Sequence, residues 1–293
     1  MTQSLKPLIG ILVCLLLGSL FLAAGSAGGV LLGGMPLFAL CGAIGFALHW
    51  LVFIPSFARQ TEHWFDLTGA LSFILTVVVA LLTVPRIDLR TVLLALMVGV
   101  WALRLGSFLF LRIRKAGADR RFDSIKPHFW RFLFSWTLGG LWVLITIAPA
   151  LAAMTTLFQQ PFGASGILGI GLWLAGFSLE VVADRQKTVF RANPDNQGRF
   201  ISSGVWAWSR HPNYFGEILL WMGVALVALP VLAGWQLITL LSPLFVILLL
   251  TRVSGIPLLE RKAEAQWGDD PQYRAYRDST PVLVPRKPRT AAA

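Results

Sequence analysis

Residues Ser209–Leu229 read SRHPNYFGEILLWMGVALVAL, in which an arginine, a histidine, an asparagine and a glutamate run directly into an uncharged apolar stretch. A segment that begins polar and continues greasy is read as a helix entering lipid, with its polar end at the water boundary. Pro212 suits the first turn of that helix, where a backbone N–H has no intrahelical partner in any case.

The pattern repeats along the chain. Its 293 residues are 56% hydrophobic and 13% charged, with 12 Trp and 20 Phe and a mean hydropathy of +0.70, whereas soluble domains carry about 25% charged residues. A bilayer core takes about 20 apolar residues per helix, which predicts spans near 8–24, 34–55, 66–84, 91–111, 130–155, 164–184, 214–231 and 235–253. The expected fold is all-α: a polytopic membrane helical bundle of about seven or eight transmembrane helices, the last two forming a C-terminal helical hairpin. The first span also has features of a cleavable leader, with Lys6, an apolar core and the small-residue stretch AAGSAGG, and is read here as a retained helix.

A net charge of +11 would suit nucleic acid only if the cations formed one face of a soluble domain; here they lie in short segments between apolar blocks. With an inner N-terminus, 21 of the 25 Lys and Arg fall in segments on one side, and only Arg86 and Arg90 fall in outer loops. Positive residues accumulate on the cytoplasmic side, so both termini are expected there. Cys14 and Cys41 both sit in apolar runs, and His49, His63, His128 and His211 are scattered. Neither a disulfide framework nor a metal site is suggested.

Ionisable groups in membrane helices are costly and are functional candidates by default. Glu180, Asp184, Lys187 and Arg191 are spaced i, i+4, i+7 and i+11, along one face of a helix. Asn213 and Glu217 start a second polar face on the next span, and Arg191, Arg199 and Arg210 lie in or beside the connecting segment with its turn-forming NPDNQG. Two such faces can meet in a pocket open to the cytoplasm, fit for a ligand that is anionic at one end, since arginines grip phosphate bidentately. The alternative is that Glu180, Asp184 and Lys187 pair among themselves at a helix end. Arg104 either snorkels or completes the same cavity. The run GASGILGIG at 163–171 has no strand before it, so its small residues are read as a packing surface rather than a dinucleotide fingerprint.

The SRHPNYFGE segment, the preceding ADRQKTVFRANPDNQGRF and the C-terminal SGIPLLERKAEAQWGDDPQYRAYRDSTPVLVP together resemble a superfamily of intramembrane enzymes: steroid 5-alpha-reductases, sterol reductases and isoprenylcysteine carboxyl methyltransferases. Within it the chain is most similar to a bacterial branch catalogued as a domain of unknown function, and TEHWFDLTGALSFI and WALRLGSFLFLRIRKAGADRRFD share that likeness. The resemblance implies two regions: N-terminal helices at 1–128 that build a lipid-substrate cavity, and a cofactor-binding membrane region with a cytoplasmic tail at 129–293. It implies NADPH as cofactor, with Glu180, Asp184, Lys187, Arg191, Arg199, Arg210, His211, Asn213, Tyr214, Glu217, Arg252 and Glu260 around it. It places Asp66 near the carboxylate that the steroid enzymes set against the substrate ketone, Trp101 near the position of their tyrosine, and Arg104 at another polar position of that helix; these are the expected catalytic set. Asp66 would have to carry a proton to stabilise an enolate oxygen while hydride is delivered to the double bond.

The leading expectation is thus an NADPH-dependent membrane reductase of a carbon–carbon double bond in a hydrophobic substrate: steroid-like, isoprenoid or enoyl-lipid. Its partners would be that small molecule and the membrane lipid, with no nucleic acid. An S-adenosylmethionine-dependent methyltransferase shares Arg-His-Pro-x-Tyr, with Glu260 and Glu264 as its tail candidates; three arginines over 191–210 suit a phosphate-bearing dinucleotide better than a sulfonium. A non-enzymatic lipid-binding scaffold is the third reading.

Overall fold

A computed structural model describes residues 2–117 and 119–287. The chain is an all-α polytopic membrane protein. Its helices are α1 (Thr2–Gly25), α2 (Leu37–Ala58), α3 (Phe65–Thr83), α4 (Leu89–Ala116), α5 (Phe129–Thr155), α6 (Ala164–Ala192), α7 (Pro212–Ala228), α8 (Ser242–Leu248), α9 (Ile256–Trp267) and α10 (Pro271–Ser279), and a hairpin of two-residue strands, Leu31–Leu32 with Met35–Pro36, follows α1. Among the described residues eight helical stretches are long and apolar enough to cross a membrane. They coincide with the eight expected spans.

The chain divides into two compact units: residues up to Ile167 with Val224–Ser242, and Leu168–Gly223 with Pro243 onward. In the first unit α5 is the axis, buried along most of its length and packed against α1, α2 and α3. Lipid tails are as apolar as leucine, so helices associate in a membrane by close packing that small residues permit. A Cβ on Gly140 would come within 3.0 Å of the Phe46 backbone on α2. Asp88 caps α4, accepting from Thr91 N at 2.8 Å, and Gly117 ends it at φ +82°, a conformation that glycine adopts without strain.

Arg90 opens α4 and is 2% exposed. Among the described residues no carboxylate meets it. Its Nε donates to Val227 O at 3.1 Å, Nη1 to Gln160 O at 2.8 Å and Nη2 to Pro161 O at 3.2 Å, and its guanidinium lies 5.7 Å from the Phe162 ring centre. A residue that looks like an outer-loop charge is therefore a buried clamp on three carbonyls.

In the second unit α6 and α7 cross with their backbones nearly touching. A Cβ on Gly176 would stand 2.5 Å from Gly216 O, and one on Gly223 would stand 2.5 Å from Gly169 O. The small residues of 163–171 thus serve packing through Gly169. α7 begins at Pro212, as the missing N–H allows. The final span is less regular than its hydropathy predicts: a 3₁₀ stretch over Gly234–Leu241, α8, then a π turn over Leu249–Val253. Pro243 lacks the N–H that a continuous helix would need at that point, and the change from 3₁₀ to α falls there.

Candidate functional site

The second unit contains a cleft of about 190 Å³. Its construction starts at the end of α6, whose last turns carry Lys187 and Arg191. Asn193 then closes a tight turn by accepting from Asp195 N at 3.0 Å, and Gly198 at φ +78° reverses the chain so that Arg199 and Phe200 face the cleft. Gly204 at φ +61° starts a 3₁₀ turn, held by Val205 N donating to Gln186 Oε1 at 3.0 Å. That turn presents Trp206, whose Nε1 donates to Ala183 O at 3.0 Å and whose ring lies 4.3 Å from Lys187 Nζ.

The opposite wall is α9, α10 and the tail beyond them. Tyr276 OH donates to Trp206 O at 2.7 Å, and Trp267 Nε1 donates to Gly198 O at 2.5 Å. The chain after α10 straps back over the start of α7: Arg210 N donates to Pro281 O at 2.9 Å, Ser209 Oγ to Leu283 O at 2.7 Å, and Arg286 N to Trp208 O at 2.9 Å. Burial pushes the Tyr276 phenol well above its ordinary range and raises that of Tyr273, so both remain neutral donors.

Five cations line this cleft, Lys187, Arg191, Arg199, Arg210 and Lys262, against one carboxylate, Glu260. Glu260 Oε2 pairs with Arg210 Nη1 at 2.7 Å and Glu260 Oε1 accepts from His211 Nε2 at 2.7 Å. A carboxylate only accepts, so Nε2 carries the imidazole proton. Burial lowers the His211 pKa below its ordinary value, against the pull of Glu260 in the other direction. Tyr214 stacks on the imidazole with ring centres 5.6 Å apart. Arg210 Nε is buried without a hydrogen-bond partner among the described residues.

Of the residues expected around a cofactor, Lys187, Arg191, Arg199, Arg210, His211 and Glu260 line the cleft, and Tyr214 supports His211 from behind. Glu180 and Asp184 are buried, and Asn213 Nδ2 donates to Asp184 Oδ1 at 3.3 Å, so the polar faces of α6 and α7 do meet. They meet beside the cleft rather than on its lining. Glu217 is half-buried on α7, and Arg252 is exposed on the π turn; neither lines the cleft. The sequence reading missed the aromatic wall of Phe190, Phe200, Trp206, Trp267, Tyr273 and Tyr276, and also Lys262. The i, i+3 tyrosines of α10 were the available signal, but short amphipathic helices leave no mark on a hydropathy profile.

The first unit holds a smaller cavity, about 50 Å³. Asp66 on α3 and Trp101 on α4 line it with His49, Phe73 and Trp142. Phe73 meets both indoles edge-on, with ring centres 5.1 Å apart in each case. Asp66 Oδ2 is buried and has no hydrogen-bond partner among the described residues. Arg104 does not line this cavity; its guanidinium lies 5.4 Å from the Phe108 ring centre on the same helix.

An all-α membrane protein with a basic, aromatic cleft in one unit and an apolar cavity in the other is the class that fold and sites define. The chain belongs to the family described as protein of unknown function DUF1295, whose model matches residues 52–280. It is similar to an uncharacterized protein of Schizosaccharomyces pombe, 26% identical over 230 residues, 67% of this chain and 64% of that protein. It is also similar to the Delta(14)-sterol reductase of Neurospora crassa, 33% identical over 95 residues, 27% of this chain and 19% of the reductase. The chain thus spans under two thirds of the length of the curated relatives it matches. No solved structure matches it.

Proposed function

We propose that the protein is an NADPH-dependent membrane reductase acting on a carbon–carbon double bond of a hydrophobic, steroid-like, isoprenoid or enoyl-lipid substrate. The observation that carries this reading is the cleft of the second unit. A surplus of guanidinium and ammonium groups suits a ligand with several phosphates, and flat aromatic walls suit its rings. The orphaned Arg210 Nε is a donor awaiting an acceptor, which a phosphate oxygen would supply. When bound, the nicotinamide would supply a hydride. The partial similarity to a sterol reductase supports the redox class.

The residues divide the work. Arg199 and Lys262 would grip phosphate, while Glu260 fixes Arg210 and His211 in orientation and Tyr276 holds the Trp206 wall in place. Asp66 would donate a hydrogen bond to the substrate's oxygen in the apolar cavity. The cytoplasmic side of both termini rests on the distribution of Lys and Arg. The bacterial inner membrane rests on the family resemblance, to which two fungal relatives add nothing.

The test is binding. Detergent-purified protein should melt higher with NADPH and show no such shift with S-adenosylmethionine, and Arg199→Ala should weaken NADPH about tenfold, as loss of a charge-assisted hydrogen bond does. A shift with S-adenosylmethionine alone would establish the methyltransferase reading instead, and a shift with neither would leave the lipid-binding scaffold.

A further inference from the structure

The cavity of the first unit contains a second polar atom that the proposed reaction does not use. His49 lies on α2 and is 1% exposed. Its Nδ1 is 2.6 Å from Gly45 O, one turn back on the same helix. A carbonyl only accepts, so Nδ1 carries the proton, and a neutral imidazole then presents Nε2 as a pure acceptor. The ring orientation is fixed on every side. Phe65 and Trp136 approach it edge-on, with ring centres 6.0 Å away in each case, and a Cβ on Gly139 would come within 2.7 Å of Nε2. Glycine at 139 is thus what leaves the imidazole room. Among the described residues His49 has no hydrogen bond other than that to Gly45.

Asp66 lines the same cavity with Oδ2 buried and unpartnered. An isolated carboxylate in apolar surroundings is strongly disfavoured because nothing replaces its hydration, whereas a carboxyl that keeps its proton has one O–H to donate. Asp66 and His49 therefore offer a donor and an acceptor to a ligand in a chamber otherwise lined by Phe, Trp, Leu, Ala and Gly. A ketone satisfies only the donor. A hydroxyl satisfies both, because its oxygen accepts while its O–H donates. At about 50 Å³ the cavity holds only the end of a molecule, equivalent to roughly four waters at 10–15 Å³ each.

We propose that this cavity seats the hydroxyl-bearing end of an apolar molecule, the hydroxyl oxygen accepting from the Asp66 carboxyl and its hydrogen donated to His49 Nε2. His49 is a specificity-determining residue in this account: it selects alcohol over ketone. The inference rests on the reductase reading only in calling that molecule the substrate, because the binding itself needs no nicotinamide.

The test uses protein in lipid nanodiscs without nicotinamide, with 2-dodecanol, 2-dodecanone and dodecane as probes, and measures retention against empty discs. The alcohol should bind more tightly than the ketone, and the ketone more tightly than the hydrocarbon. His49→Phe should weaken the alcohol about tenfold and the ketone less than about twofold, as removal of one buried hydrogen-bond partner predicts. His49→Gln, which keeps a side-chain acceptor, should restore most of the alcohol binding. Asp66→Leu should weaken both oxygenated probes. Equal losses for alcohol and ketone in His49→Phe would overturn the proposal, as would dodecane binding as tightly as 2-dodecanol or no retention above empty discs. If His49→Phe fails to fold, the order of the three probes on the unaltered protein and the Asp66→Leu result decide the matter. NADPH-dependent melting, read separately, is untouched by any of these outcomes.

Discussion

The cleft of the second unit is walled by five cations and six aromatic rings, whereas the cavity of the first unit presents one carboxyl and one imidazole among apolar side chains. The two are built for different solvents. In the cleft, charge excess acts at a distance and is screened by salt, so recognition there should depend on ionic strength. In the cavity, shape and two fixed polar atoms discriminate, and salt should matter little. Their arginines carry the same lesson. Arg90 in the first unit spends its donors on three carbonyls and is structural; Arg210 in the second has Nε without a hydrogen-bond partner among the described residues.

Removing Arg90 would break that contrast most strongly. Arg90→Ala orphans Val227 O, Gln160 O and Pro161 O and should destabilise the protein by about 3–5 kcal/mol, read as unfolding in mixed detergent and SDS micelles. A loss under about 1 kcal/mol would mean that water satisfies those carbonyls as well as the guanidinium does.

Charge in the cleft comes next. Raising salt from about 0.05 to 0.5 M shortens the screening length roughly threefold. This should weaken NADPH binding several-fold while leaving 2-dodecanol retention in the first unit unchanged. If both respond alike, the two sites do not differ in kind.

A third prediction concerns Glu62, in the turn before α3. It is 1% exposed and accepts from Asp119 N at 2.8 Å and Lys126 Nζ at 3.0 Å. Burial raises its pKa, but these hydrogen bonds and the Lys126 charge outweigh burial and hold it below the usual 4.5. A folded pKa depressed in this way adds stability above pH 4.5 that is lost as pH falls through the lower folded value. The melting midpoint should therefore drop below that pH. Glu62→Gln should cost about 1–3 kcal/mol near neutrality and flatten the acid drop; an acid limb of unchanged size would assign it to other carboxylates.

The smallest effect is expected from Tyr276→Phe, which removes the bond to Trp206 O at 2.7 Å. It should cost about 1 kcal/mol of stability and loosen the aromatic wall. Fluorescence of Trp206, isolated against a Trp206→Phe background, should broaden or shift only in the second unit.

The fold was legible to the extent that it depends on local composition. The apolar runs marked all eight spans, and Pro212 marked the start of α7 within the stretch that opens SRHPNYFGE. The i, i+4 polar stripe on α6 was legible for the same reason, since helical periodicity converts spacing into a shared face. Which members of the stripe would line a cavity was not. Lys187 and Arg191 line the cleft while Glu180 and Asp184 turn to the α7 side, a division set by the close crossing at Gly176 and Gly216. Spacing along one helix carries no information about its neighbour.

By itself, the sequence determined the class of the protein, the number and approximate positions of its membrane helices, and the concentration of cations around 185–210, because bilayer thickness and helical period act on neighbouring residues. Tertiary structure alone decided that residues 281–286 strap the start of α7, that α9 and α10 supply an aromatic wall, and that His49 shares a cavity with Asp66. It also decided that Arg90, which reads as a loop charge, is buried. These join residues from fewer than twenty to more than a hundred positions apart, where the outcome depends on which backbones can approach and which polar atoms must find partners away from water.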